Sequence, residues 1–150
     1  MTDGMIVQTI QLALTPVFVL VAIGNILNIL SSRLGRVVDR ARNLQERHGS
    51  THGIEHDMIV SELRLVDRRM TLITHAVRLM VLSALAIGIT VAVLFLSGLS
   101  GLQWHTAAAI TFLAAIVLLL LALVLFLRET QVAAEALRIP SDYLELHRQI

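Results

Sequence analysis

The 150-residue chain has no cysteine and no lysine, only two prolines, and aromatic residues at 4%. Without cysteine there is no disulfide, no thiolate metal ligand and no thiol nucleophile. Charge is scarce too: charged residues make up 15% of the chain against 56% apolar residues, too few to clothe a soluble domain of this size. Three stretches lack a full charge altogether, at about 10–30, 79–99 and 106–127. At about 1.5 Å of rise per helical residue, each covers the roughly 30 Å of a hydrocarbon layer. The expectation is an all-α membrane protein, a single membrane domain with three transmembrane helices. Only Asp3 precedes the first stretch, which runs on into Arg33, so it reads as a spanning helix and not as a secretory signal with its basic start and cleavage site.

The positive charge is all arginine, and it is placed asymmetrically. Nine of the twelve arginines lie between positions 33 and 78, the other three are Arg128, Arg138 and Arg148, and none comes before 33. Short arginine-rich segments stay on the cytoplasmic side. A multi-pass protein of the inner (plasma) membrane follows, with the N-terminus outside, segments 31–78 and 128–150 in the cytoplasm, and Trp104 at the outer interface. The segment 33–78 also holds six acids, so the partner expected for this collar is the anionic headgroup layer of the bilayer and not nucleic acid.

The cytoplasmic segment keeps a helical pattern. Ile23, Leu27, Leu30, Leu34, Val37, Ala41 and Leu44 are spaced alternately by four and three, and Ile59, Leu63, Val66, Met70, Ile73, Val77 and Met80 repeat that spacing. Each set forms an apolar seam that crosses from the hydrocarbon stretch into the arginine-rich one. Between them "RHGSTHGIEH" breaks the period with Gly49 and Gly53, a hairpin tip with Asp57 or Ser50 as helix-starting residues. The first two transmembrane helices are thus expected to extend into a cytoplasmic antiparallel helical hairpin, running from near Ile6 to near Glu46 and from near His56 to near Leu99. The third span should continue past Arg128 and stop before Pro140.

Opposite the seams run polar stripes. On the first helix Gln8, Gln11, Thr15, Asn25 and Ser32, broadened by Asn28, make one face, continued by Arg36 and Asp39. Amides in hydrocarbon are costly without partners, so this face should meet protein or water; around a symmetry axis it would line a pore, and otherwise it would clamp neighbouring helices. On the second helix Asp57, Ser61, Arg64, Arg68, Thr71, His75 and Arg78 form another stripe. It reads as a solvated face or, with Arg36, as a cytoplasmic vestibule whose arginine rings concentrate anions, with His75 its pH-responsive member. Ala84, Gly88 and Ala92 recur at intervals of four, a small-residue packing face. His48, His52 and His56 share that spacing, but the glycines between them speak against a metal site. Asp39, Glu46 and Asp67 sit among arginines as expected helix-surface ion pairs. No catalytic constellation, phosphate-binding loop or cofactor motif is present, so no enzyme and no cofactor is expected.

The segments "LALTPVFVLVAIGNILNILSSRLGRVVDRARNL", "ELRLVDRRMTLITHAVRLMVLSALAIG" and "FLRETQVAAEALRI" resemble a family of small bacterial three-span membrane proteins recorded as a domain of unknown function. The resemblance covers roughly residues 10–139 and implies three spans with a helical insert; it brings no activity, cofactor or catalytic residue. Unpartnered seams and intramembrane amides lead to the functional expectation of a homo-oligomeric ion-conducting channel, its pore lined by the first span, with inorganic ions as the species carried. The alternative is a membrane-anchored scaffold or regulatory subunit whose coiled-coil hairpin binds another protein.

Overall fold

In a computed structural model, described for residues 2–100 and 104–136, the chain forms three helices. These are α1 (Thr2–His48), α2 (Ile54–Ser100) and α3 (His105–Ala136). All three are long and apolar enough to cross a membrane. The side chains of residues 2–6, 8, 9 and 136 lie outside what is described, as does the segment 137–150.

The helices run antiparallel in sequence order, and α2 is the central one, packed along both neighbours. Its seam with α1 has a repeat of seven. Ile23, Leu30, Val37 and Leu44 on α1 and Ile59, Val66, Ile73, Met80 and Ile87 on α2 are buried, with Leu27, Leu34, Leu63, Met70 and Val77 half-buried against them. A seven-residue repeat keeps one face of each helix on its partner over many turns. This is the seam expected from the sequence, and it runs unbroken from the apolar stretch to the hairpin tip.

The second seam has different residues. Ala76, Ser83, Thr90 and Ser97 of α2 are buried, and so are Ala108, Ala115, Ala122 and Glu129 of α3. Small side chains let two backbones come close, which is how helices associate where the surroundings are as apolar as leucine. The expected small-residue face of Ala84, Gly88 and Ala92 is not this interface. Gly88 and Ala92 are exposed, and a Cβ placed on Gly88 would meet nothing within 4 Å. The spacing of four that picks them out sits beside the spacing of seven that makes the contact.

The tip also departs from expectation. Ser50 closes α1 rather than starting α2: its N–H and its hydroxyl both donate to the Arg47 carbonyl at 3.0 Å, joined by the Thr51 hydroxyl at 3.2 Å. The turn into α2 is made at Gly53, whose φ of 67° suits a residue without a Cβ. Asp57 donates its N–H to the Gly53 carbonyl, so α2 begins ahead of Asp57, at Ile54. Pro16 lies inside α1 without ending it.

Candidate functional site

One line of α2 makes contact after contact with the other helices. Glu55, Glu62, Arg69, Ala76, Ser83, Thr90 and Ser97 stand seven apart. Glu55 pairs with Arg47 at 3.3 Å and Glu62 with Arg40 at 2.6 Å, both across the hairpin. Ser83 donates to the Ala115 carbonyl of α3 at 2.8 Å. Thr90 Oγ1 lies 2.9 Å from Thr111 Oγ1, which itself donates to the backbone of its own helix. Ser97 accepts the Trp104 N–H at 3.3 Å.

Where that line meets α1 and α3 together, it forms a charged node. Glu129 is wholly buried, and its two carboxylate oxygens are divided between two helices. Oε2 accepts from Arg33 Nη1 at 3.0 Å, while Oε1 accepts from Arg69 Nε at 3.1 Å and Nη2 at 2.9 Å. The Arg33 guanidinium also lies 5.0 Å from the Phe126 ring centre, in cation–π range. A buried carboxylate is tolerable when paired and fully hydrogen-bonded. With three charge-assisted hydrogen bonds from arginines on α1 and α2, Glu129 ties all three helices together.

The residues expected from sequence fall on two separate surfaces. Gln11, Thr15, Asn25, Asn28 and Ser32 are exposed on α1, continued by exposed Asp39, opposite the seam with α2, while exposed Arg36 sits at the edge of that face beside the buried Val37. Gln8 belongs to the same stripe, but its side chain lies outside the described residues. Asp57, Ser61, Arg64, Arg68, Thr71, His75 and Arg78 are all exposed on α2. His75 Nδ1 donates to the Thr71 carbonyl at 2.8 Å, one turn back along its own helix. Because the buried seams of α1 and α2 face each other, these stripes point in opposite directions. The amides and the α2 arginines are therefore not brought together within one chain.

Three further placements differ from the sequence reading or extend it. Asp39, Glu46 and Asp67 are in none of the ion pairs among the described residues, all of which join separate helices instead of neighbours on one helix. At the tip, the rings of His48 and His56 meet at 4.4 Å while His52 is exposed, and no cluster of three metal-ligating side chains occurs among the described residues. Finally, the node residues Arg33, Arg69 and Glu129 were not among the candidates. Their signal was present: Ala108, Ala115, Ala122 and Glu129 are spaced by seven, a run of small residues ending in one acid.

Two clefts flank the node. One, of about 210 Å³, is lined by Arg33, Arg36, Val37, Arg40, Val66 and Arg69. The other, of about 290 Å³, lies between α2 and α3 beside Arg68, Arg128 and Glu135.

A family model matches residues 13–139, and the chain belongs to that family, DUF2721, described as a protein of unknown function. No curated protein and no solved structure matches it.

Proposed function

We propose that this member of the DUF2721 family is one subunit of a homo-oligomeric ion channel, with α1 helices gathered around the conducting axis. The observation that carries the reading is the position of Asn25 and Asn28. Both lie within the apolar stretch of α1, both are exposed, and neither side chain has a hydrogen bond among the described residues. An amide left bare in hydrocarbon costs about 2–7 kcal/mol. Sister copies, or water held between them, remove that cost, and Gln11, Thr15 and Ser32 extend the same face along the span.

The opposed stripes allow only one of them to face the axis. An axis lined by α2 would leave the α1 amides against lipid, where no side-chain length can rescue them. An axis lined by α1 puts the α2 arginines on the perimeter, and their long stems can carry the guanidinium to the headgroup layer. Arg36, on the edge of α1 toward α2, then stands beside the cytoplasmic mouth and not on the axis, while Arg64, Arg68, His75 and Arg78 form the outer wall of the vestibule. The arginine-bearing hairpin end is assigned to the cytoplasm by the charge rule, in the inner membrane. Such a role calls for no catalysis and no cofactor.

The test is ion flux through the purified full-length protein in liposomes, over a range of pH and voltage. Flux is expected, and Asn25→Leu with Asn28→Leu should abolish it while the oligomer persists. A silent wild-type protein refutes the channel. One observation favours a second reading, a partner-binding scaffold: Ile54 and Met58 near the tip are 82% and 66% exposed. On that reading there is no flux, and Ile54→Asp disrupts a complex that Asn25→Leu leaves intact.

A further inference from the structure

The cleft between α1 and α2 holds more positive charge than the chain itself neutralises. Four of its lining residues are arginines, and the carboxylates paired with them are Glu129, shared by Arg33 and Arg69, and Glu62, on Arg40. Arg36 has no ion pair among the described residues. Four guanidiniums against two carboxylates leave a local charge of +2. Val37 and Val66 form the floor. Arg33 and Arg69 keep 30% and 25% of their side-chain surface open while anchored to Glu129, so their remaining N–H donors are held in place and not free to swing away.

The height of the cleft indicates which anion it meets. Arg33, Arg36 and Arg40 follow the last apolar residue of the first stretch, Leu30, by three, six and ten residues, which is about 4.5, 9 and 15 Å along the helix. Side chains on α1 lean toward its N-terminus and so back toward that stretch, which brings Arg33 and Arg36 to headgroup height and leaves Arg40 at the outer edge of the cleft. Through Glu129, the same level on α3 lies two residues beyond Leu127, the end of the longest apolar run. A headgroup layer occupies roughly 5–7 Å on each side of the hydrocarbon. Guanidiniums match phosphate oxygens with paired N–H donors.

We infer that this cleft binds a phosphate group, that of an anionic phospholipid in the leaflet on the hairpin side, through Arg36 beside the anchored Arg33 and Arg69, with Arg40 at the outer edge adding positive charge. This rests on the three helices crossing a bilayer and not on conduction, so absent ion flux leaves it standing. A net charge of +2 favours a headgroup that carries net negative charge over a zwitterionic one. Lipid seated there would also bind α1 and α2 together at the base of the hairpin.

The experiment is native mass spectrometry of the purified full-length protein in detergent with three probes: dioctanoyl phosphatidylglycerol, dioctanoyl phosphatidylcholine and inorganic phosphate. Phosphatidylglycerol is expected to bind at least about fivefold more tightly than phosphatidylcholine, roughly 1 kcal/mol. Arg36→Gln with Arg40→Gln should erase that preference, and Arg42→Gln, an exposed arginine outside the cleft, should keep it. Both substituted positions are exposed on α1, and a circular dichroism melt checks that each variant is folded; should the double variant melt early, Arg36→Gln alone carries the test. Equal binding of the two lipids, or a preference that survives loss of the cleft arginines, overturns the site. Binding of inorganic phosphate that depends on those arginines, with no lipid preference, overturns the assignment to a lipid.

Discussion

Toward α1, the central helix presents Ile59, Val66, Ile73, Met80 and Ile87; toward α3 it presents Ala76, Ser83, Thr90 and Ser97. Part of the contrast follows from where each seam lies, although Ile23, Leu30, Met80 and Ile87 keep large side chains on the first seam within the apolar stretches too. The α1–α2 seam continues past the apolar stretches into the arginine-rich hairpin, where Val37, Ala41, Leu44 and Ile59 are buried. There, removal of large apolar side chains from water stabilises by about 25 cal/mol per Å². The α2–α3 seam lies mostly within the apolar stretches, where burial against protein gains little over burial against lipid. Close approach and hydrogen bonding are what remain, and Ala, Ser and Thr supply both. At the end of the third apolar run, Glu129 replaces alanine on the same seven-residue line, and ion pairs take over from close packing.

The largest expected effect breaks the second seam at its charged end. Glu129→Ala leaves Arg33 and Arg69 facing one another without their carboxylate, and should cost about 3 kcal/mol in detergent unfolding. That is the low end for a broken buried pair, because both guanidiniums retain some water. Replacing all three groups with apolar residues, Glu129→Met with Arg33→Met and Arg69→Leu, should recover most of the loss, since no buried charge is then left unpaired. A loss below about 1 kcal/mol would mean that the node does not anchor α3.

Next comes a size test of the two seams. Ala115→Leu forces a large side chain between backbones held close by small ones, at about 2 kcal/mol. Ile73→Val on the other seam removes one methylene from a bulky interface, at about 1 kcal/mol. If the two variants melt alike, the seams do not differ in closeness of approach.

The first seam and both polar stripes were legible in the sequence because large apolar residues contrast with arginine, aspartate and asparagine. Ile23 to Leu44 and Ile59 to Met80 are buried or half-buried as spaced, and Asn25, Asn28, Arg64, Arg68 and Arg78 are exposed. The second seam has little such contrast. Ser83 and Thr90 sit among Leu, Ile and Val, and Ala108, Ala115 and Ala122 among many alanines and leucines, so a small-residue period of seven is easily masked by one of four, as with Ala84, Gly88 and Ala92. Glu129 read as tail charge because it lies beside Arg128 at the end of an apolar run. Its partners are 96 and 60 residues away, and spacing along one helix cannot reveal which distant arginines it meets.

The smallest effects compare contacts made by the one polar line along α2. Ser83→Ala removes a bond to a carbonyl that remains in its own helical ladder, so no polar group is stranded, and the loss should be about 0.6 kcal/mol. Arg47→Gln, at the opposite end of the line, should cost only about 0.3 kcal/mol, because Arg47 and Glu55 are both mostly in water and salt screens them. Raising the salt concentration should erase the Arg47→Gln difference while leaving the Glu129→Ala loss largely in place, because Glu129 is shielded from ions by the three helices around it. Equal salt sensitivity in the two variants would place Glu129 in solvent contact and remove the distinction between a line of surface pairs and a buried node.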